Sequence, residues 1–365
     1  MLCKKSDEKI VHVDILTPKQ VLFFGKIIEM LKNKDIKVYV TSRRYREVIQ
    51  LLKLKKIYPS IVGVHGGGNL ESKLMASTKR ILGLTKILSK IKPKVSVSFS
   101  SPETARVSFG LGIPHLCVND SPHAEHVAKL TIPLSQKLLT PSIIPTHVWL
   151  RLGATKEMIV KYRGLDPVVW VKGFKPNKKV LDQLKISTKK PIITVRPEET
   201  YAAYLLKKSL YKKPLYIEVV KWLLKKLKKD VVLVVLPRYT EQLKNLRKIF
   251  GKEIILAEKV VDGTSLLFYS SVFVGGGGTM NVEAALLGVP TFSFHPSRLI
   301  YVENFLIQKG LMEKILNPKT LSEKVAETLK NLDKIKKMQR LKAESLVLKM
   351  ENPAEVVVKT ILSYL

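Results

Sequence analysis

The sequence predicts two doubly wound α/β domains in series. Short apolar runs of strand length alternate with segments of helical period. The alternation restarts from a second strand near residue 192, and each run ends at Gly, Pro, Asn, Asp, Ser or Arg. The chain has 365 residues with 45% hydrophobic content, enough for two cores and too long for one simple one.

The first half opens with an apolar strand at 10–16. Pro18 follows, where its missing N–H costs a helix nothing. The helix it opens carries Val21, Phe24, Ile28 and Leu31 on one face. Further strands are expected at 37–41, 61–64, 95–100 and 115–119, and helices at 70–91 and 103–111. The second half repeats the pattern, with strands at 192–196, 231–236, 254–256, 272–274 and 291–294. Its helices are expected at 214–227, 241–249, 265–269 and 280–287. Residues 173–190, rich in Lys, Pro and Asn, read as the linker, so the domains are expected at 1–175 and 176–365. The charged helical tail, 321–365, goes with the second domain. Ligands of such sheets bind beyond the carboxyl ends of the strands, and the cleft between the two domains is the expected site.

No stretch reaches the ~20 apolar residues that span a bilayer. The densest run, 231–236, is bracketed by Asp230 and Pro237, and residues 1–9 are charged. Cys3 and Cys117 make no disulfide framework and no zinc motif, so a reducing cytoplasm and no metal are expected. The net charge of +34 is uneven: residues 101–150 sum to zero and residues 251–300 to −1. Lys outnumbers Arg 52 to 12, which suits a hydrated surface. Peripheral contact with the anionic inner membrane face is the second reading of that charge. Nucleic acid is not an expected partner, because no aromatic-interleaved basic motif is present.

Two loops carry the chemistry. Gly275, Gly276, Gly277, Gly278 and Thr279 lie between a strand and a helix. A glycine turn at a helix N-terminus suits a pyrophosphate, with Thr279 as N-cap or phosphate ligand. Four glycines in a row have little evident structural use, which favours the ligand reading. Glu283, one turn on, can accept both hydroxyls of a ribose. The second loop crowds Asp120, His123, Glu125 and His126 into a stretch otherwise poor in charge, which is material for acid/base catalysis. There Asp120 or Ser121 is also expected to cap a helix opening at Pro122. Arg196-Pro197 and Pro237-Arg238 each end a strand, and their arginines can clamp phosphate. Asp14, inside an apolar strand, needs partners and is read as structural. The sequence Gly66-Gly67-Gly68 ends the third strand, where it could approach a sugar or acceptor.

GGGTMNVEAALLGVP, residues 276–290, resembles the donor motif of the lipid-linked N-acetylglucosaminyltransferase family of peptidoglycan synthesis. That resemblance implies a GT-B fold and a UDP-N-acetylglucosamine-like donor. It puts Glu283 on the ribose-binding glutamate and Asn304 on a later asparagine. HVDILTPKQVLFF, GIPHLCVNDSPHAEHVAKLTIPL and ITVRPEETYAAY resemble the domain of unknown function 354 family over most of residues 10–315. That family is related to glycosyltransferases and to non-hydrolysing UDP-N-acetylglucosamine 2-epimerases.

The resemblance implies a GT-B glycosyltransferase that needs no cofactor or metal. A nucleoside-diphosphate sugar would be held by Gly275–Gly278, Thr279, Glu283, Arg196, Arg238 and Asn304, and the acceptor would be a lipid phosphate or a glycan. Asp120 or His123 would be the base. The alternatives are a 2-epimerase using Asp120 and Glu125, and an inactive nucleotide-sugar or membrane-surface binding protein.

Overall fold

A computed structural model describes residues 9–199, 214–227, 230–295 and 301–365. Outside these lie Cys3, nearly all of the charged N-terminal segment, and residues 200–204 of the third family-like stretch.

The chain forms two compact units. The first is 1–169 with 351–365, and the second is 170–350. In the first, strands β1 (Ile10–Ile15), β2 (Lys37–Arg44), β3 (Ser60–Val64), β4 (Val95–Ser98), β5 (His115–Val118), β6 (Lys137–Pro141) and β7 (Ile159–Tyr162) make one sheet. Its order is β3-β2-β1-β4-β5-β6-β7, and every pairing is parallel. In the second, β8 (Ile192–Arg196), β9 (Val232–Val235), β10 (Ile255–Leu256), β11 (Val272–Gly275), β12 (Thr291–Ser293) and β13 (Glu313–Lys314) follow the order β10-β9-β8-β11-β12-β13, again all parallel. Both are doubly wound sheets whose strand order reverses beside the first strand, between β1 and β4 and between β8 and β11. The expected two-domain, parallel α/β class is therefore what the chain adopts.

Burial on both sheet faces explains why these strands read as continuous apolar runs. Val11, Val13 and Ile15 of β1 are fully buried, as are Val95 and Val97 of β4. In the second unit, Ile193, Val195, Leu233, Val235, Val272 and Val274 pack with Val219, Val220 and Leu223 of the helix Leu215–Leu227.

Three expectations need correction. Residues 173–190 are not a free linker: they carry the helix Lys179–Gln183, whose Val180 and Leu181 are buried with Ile186 and Leu266 in the second unit. The division falls after residue 169 rather than 175. The last helix, Pro353–Leu362, belongs to the first unit and packs on the helix Pro18–Lys32. Its Val357, Val358 and Ile361 are buried there, an apolar face that had to be covered. The strands β6, β7 and β13 were not anticipated.

Candidate functional site

In the first unit the carboxyl edge of the sheet gathers charged groups. Pro18 starts the helix after β1, which puts Lys19 in its first turn. The Lys19 ammonium lies 2.5 Å from Asp120 Oδ2 and 2.6 Å from Asp166 Oδ2, and 4.1 Å from the centroid of the Phe99 ring. Tyr162, ending β7, donates its hydroxyl to Asp166 Oδ1 at 2.5 Å. Burial alone would raise Asp120, but the Lys19 cation outweighs it and holds the carboxyl below the usual range. Asp166 shifts the other way: burial, joined by the Asp120 charge, pushes it up against the pull of Lys19. Two carboxyls around one lysine are thus driven apart in acidity, a pattern that separates acid and base roles. The Asp166 carboxyl is wholly enclosed, whereas that of Asp120 keeps 15% of its surface accessible.

His123 joins this group. Burial lowers its proton affinity, and the charges of Asp120 and Lys19 act on it in opposite directions. Glu125 does not join. It lies on the short helix Glu125–Lys129, exposed, and pairs with Lys129 at 2.6 Å one turn along. The expected cap also differs. The helix begins at Glu125 rather than Pro122, and the turn before it is held by Asn119 Oδ1 accepting from the Ser121 amide at 2.7 Å. Ser121 donates to Asp120 at 2.8 Å, which fixes the carboxylate. Lys19, Tyr162 and Asp166 escaped the sequence reading. The Gly164-Leu165-Asp166-Pro167 turn after β7 was the available signal, but β7 itself was not recognised.

Asp14 is structural, as expected. It is fully buried and accepts from Arg80 Nη2 at 2.5 Å, Thr41 at 2.7 Å and Thr104 at 2.8 Å.

In the second unit, Gly275 ends β11, Gly276 turns, and Gly277 is the N-cap of the helix Gly278–Leu286. Thr279 is therefore inside the helix and not its cap. The glycines also have a packing role that the sequence reading denied them. A Cβ on Gly275 would strike Asn281, and one on Gly276 would come within 2.7 Å of the Glu198 amide nitrogen. A Cβ on Gly277 would collide with Arg238 Nη2. The Arg238 guanidinium thus rests on the N-cap, where the helix already presents partial positive charge. Its Nε donates to the Pro197 carbonyl at 3.0 Å, and its Nη1 is 3.9 Å from Glu199 Oε2.

Arg196 Nη1 donates to the carbonyls of Leu236 and Pro237 at 2.9 and 3.1 Å, bracing the turn that presents Arg238. Glu198 caps the helix Leu215–Leu227, accepting from the Leu215 amide at 2.7 Å. Glu283 is buried, and its Oε1 accepts from Thr264 at 2.5 Å. Asn304 is exposed. Its neighbour Glu303 turns inward and takes Asn281 Nδ2 at 2.7 Å.

A family described as protein of unknown function (DUF354) matches residues 9–365. The chain belongs to the DUF354 family. A curated relative of this DUF354 chain, Uncharacterized protein MJ0665 of Methanocaldococcus jannaschii, is 29% identical over 362 residues, 97% of this chain and 98% of the relative. Among solved structures, S. aureus MnaA with UDP superposes with a TM-score of 0.73 at 16% identity, covering 98% of this chain and 96% of that one. The UDP-GlcNAc 2-epimerase of Methanocaldococcus jannaschii, in complex with UDP-GlcNAc and UDP, gives 0.68 at 18% identity, with 97% and 99% covered. Anabaena Alr3699/HepE in complex with UDP-glucose gives 0.67 at 11% identity, with 98% and 100% covered. At these identities the likeness is one of fold, and it bears out the expected GT-B-like fold class. No helix among the described residues is long and apolar enough to cross a membrane.

Proposed function

We propose that this DUF354 protein is a GT-B glycosyltransferase that takes a UDP-N-acetylglucosamine-like donor in its second unit. One observation carries the reading: the Arg238 guanidinium lies against Gly277, the N-cap of the helix Gly278–Leu286. A cation placed on the positive end of a helix is unfavourable by itself and favourable around an anion. The donor diphosphate would sit on Gly276–Thr279 under Arg238, with Arg196 bracing the turn and Asn304 at the exposed rim. Thr264 orients Glu283 for the ribose. The ligands in the structures similar in fold, UDP, UDP-GlcNAc and UDP-glucose, support the ligand class.

In the transfer, Asp120 would accept the proton of an acceptor hydroxyl in the first unit. The acceptor oxygen bonds the anomeric carbon as the bond to the diphosphate oxygen breaks. The charge left on the nucleoside diphosphate is met by Arg238 and the helix amides, preorganised positive groups that stabilise it where it develops. Lys19 and Ser121 fix Asp120, and His123 is the second accessible titratable group beside it. The epimerase reading keeps support from the solved 2-epimerases. It needs two groups flanking one sugar carbon, and Glu125 is turned away on the surface while Asp166 is enclosed.

Thermal shift tests the donor site. At about a hundred times its Kd, a ligand of the folded state adds about 2.7 kcal/mol. UDP or a UDP-sugar should raise the melting temperature of the wild type and leave that of Arg238→Ala and Glu283→Ala nearly unmoved. An unchanged response in Arg238→Ala would remove the reading. Asp120→Asn should keep that response while turnover falls at least about a hundredfold. Incubating the donor alone separates the reactions: a new epimeric sugar nucleotide would establish epimerisation instead.

A further inference from the structure

The helix Leu70–Ile91 overshoots the sheet it covers. A Cβ on Gly63, one residue before the end of β3, would lie 3.2 Å from Arg80 Cβ. Arg80 is therefore level with the carboxyl end of β3, and its guanidinium reaches the Val62 carbonyl, Asp14 and Glu103 there. The ten residues before Arg80 carry the helix past that edge by roughly 15 Å. The overhang is braced at its start. Asn69 caps it through the Ser72 amide at 3.1 Å. A Cβ on Gly66 would lie 2.5 Å from Lys73 Cα, so the turn 66–68 can lean on the helix only as glycine.

The inner side of this helix is fully occupied. Leu84 and Leu88 are buried with Val62 and Val107, and Arg80 is held by Asp14 at 2.5 Å. The outward side is different. Steps of four residues make the row Leu70, Leu74, Thr78, Leu82, Lys86 and Lys90, with Met75 and Lys79 beside it, and all of these are exposed. Leu70, Leu74, Met75 and Leu82 each keep more than half of their surface accessible. Single exposed leucines are ordinary, but four large apolar side chains along one helix row are not. The charge is one-sided as well: Lys79, Lys86 and Lys90 point outward, and Glu71 is the only acid of the helix. Apolar side chains with lysines at their flank suit a lipid interface, where the former enter the acyl boundary and the latter reach the headgroups.

We propose that the outward row of the helix Leu70–Ile91 docks on an anionic lipid bilayer, with Leu70, Leu74, Met75 and Leu82 entering the interface and Lys79, Lys86 and Lys90 meeting acidic headgroups. Charge complementarity selects this occupant. A second copy would bring two lysine rows together, whereas an anionic leaflet offsets them. The overhang lies at the carboxyl edge of the first unit's sheet, the edge beyond which Asp120 follows β5, so docking brings that edge to the membrane. The inference stands apart from the transferase reading and needs no donor.

Flotation of the full chain with lipid vesicles tests it. Wild type should float with vesicles of phosphatidylglycerol and phosphatidylcholine, and at least about tenfold less with phosphatidylcholine alone. Leu74→Gln/Leu82→Gln should lower the partition coefficient at least about tenfold, because two large apolar side chains no longer leave water. Lys79→Gln/Lys86→Gln/Lys90→Gln should lower it by about as much. Lys244→Gln/Lys248→Gln/Lys252→Gln, which removes the same charge from the exposed surface of the second unit, should leave it within about twofold. Leu74→Trp supplies a gain of signal that does not depend on a loss: its emission should shift to the blue with anionic vesicles and not with phosphatidylcholine. Binding absent from wild type, an undiminished partition in the leucine variant, or an equal loss in the second-unit variant overturns the proposal. A wild-type dimer that Leu74→Gln/Leu82→Gln turns into a monomer also overturns it, because a second copy would then cover the row.

Discussion

Arg80→Met should destabilise the first unit by about 3–5 kcal/mol, the usual cost of breaking a buried ion pair from one side. Asp14 and Arg80 are both buried, and the guanidinium meets the carboxylate at 2.5 Å while its Nε donates to the Val62 carbonyl at 3.0 Å. Burial alone would raise Asp14, and Arg80 instead holds it well below the usual carboxylate range. Methionine fills much of the space but leaves Asp14, among the described residues, with the hydroxyls of Thr41 and Thr104. Asp14 would then take up a proton, so the deficit should shrink as pH falls toward 4. Asp14→Asn in the Arg80→Met background should recover part of the loss, because the uncompensated charge has gone. Urea unfolding monitored by Trp149, buried in the first unit, reads the effect. A loss under about 1 kcal/mol would mean that the two threonines satisfy Asp14 alone.

The second large effect is acid sensitivity from two enclosed histidines. His12 lies between Thr41 Oγ1 at 2.8 Å and Ser96 Oγ at 3.2 Å. His115 lies between Ser98 and Ser135, each at 2.8 Å. Burial lowers His12 to about 4 and His115 to about 3. In the unfolded chain both titrate near 6.5. Below that pH the unfolded state binds protons that the native state refuses, so stability falls as pH falls. From pH 6.5 to 4 each ring should cost roughly 3 kcal/mol, about 6 together. Asp166, whose affinity for a proton is raised, works in the opposite sense over part of this window. The readout is therefore the slope of unfolding free energy against pH in the wild type minus that in His12→Gln/His115→Gln. A positive difference of several kcal/mol across the window is expected, and no difference would mean that the rings are protonated in the fold.

The candidate site was legible in part. The glycine run and its helix were visible because glycine before an apolar helical repeat leaves few readings. Their neighbour was not visible: Arg238 reaches Gly277 from the turn after β9, and only the sheet order brings the two together. The same gap hid Lys19 and Asp166, which lie at opposite ends of the first unit's sequence and share one contact. Glu125 looked like a partner of Asp120 because it is near in sequence. A single helical turn instead paired it with Lys129.

Local sequence determined which segments are strands and helices wherever the apolar signal was dense. The central strands β1, β4, β8 and β11 were readable for that reason, being buried on both faces. The strands β6 and β7 carry Lys and Pro or are only partly covered, so their pattern was too weak. The number of domains and their parallel, doubly wound class followed from periodicity and length. Tertiary structure alone decided that the last helix returns to the first unit, that Glu198 caps a helix, and that Asp120 and Asp166 divide one lysine between them. The reason is physical. Periodicity reports which face of an element must be covered, whereas a side chain's partner and acidity depend on what the fold brings within a few ångströms of it.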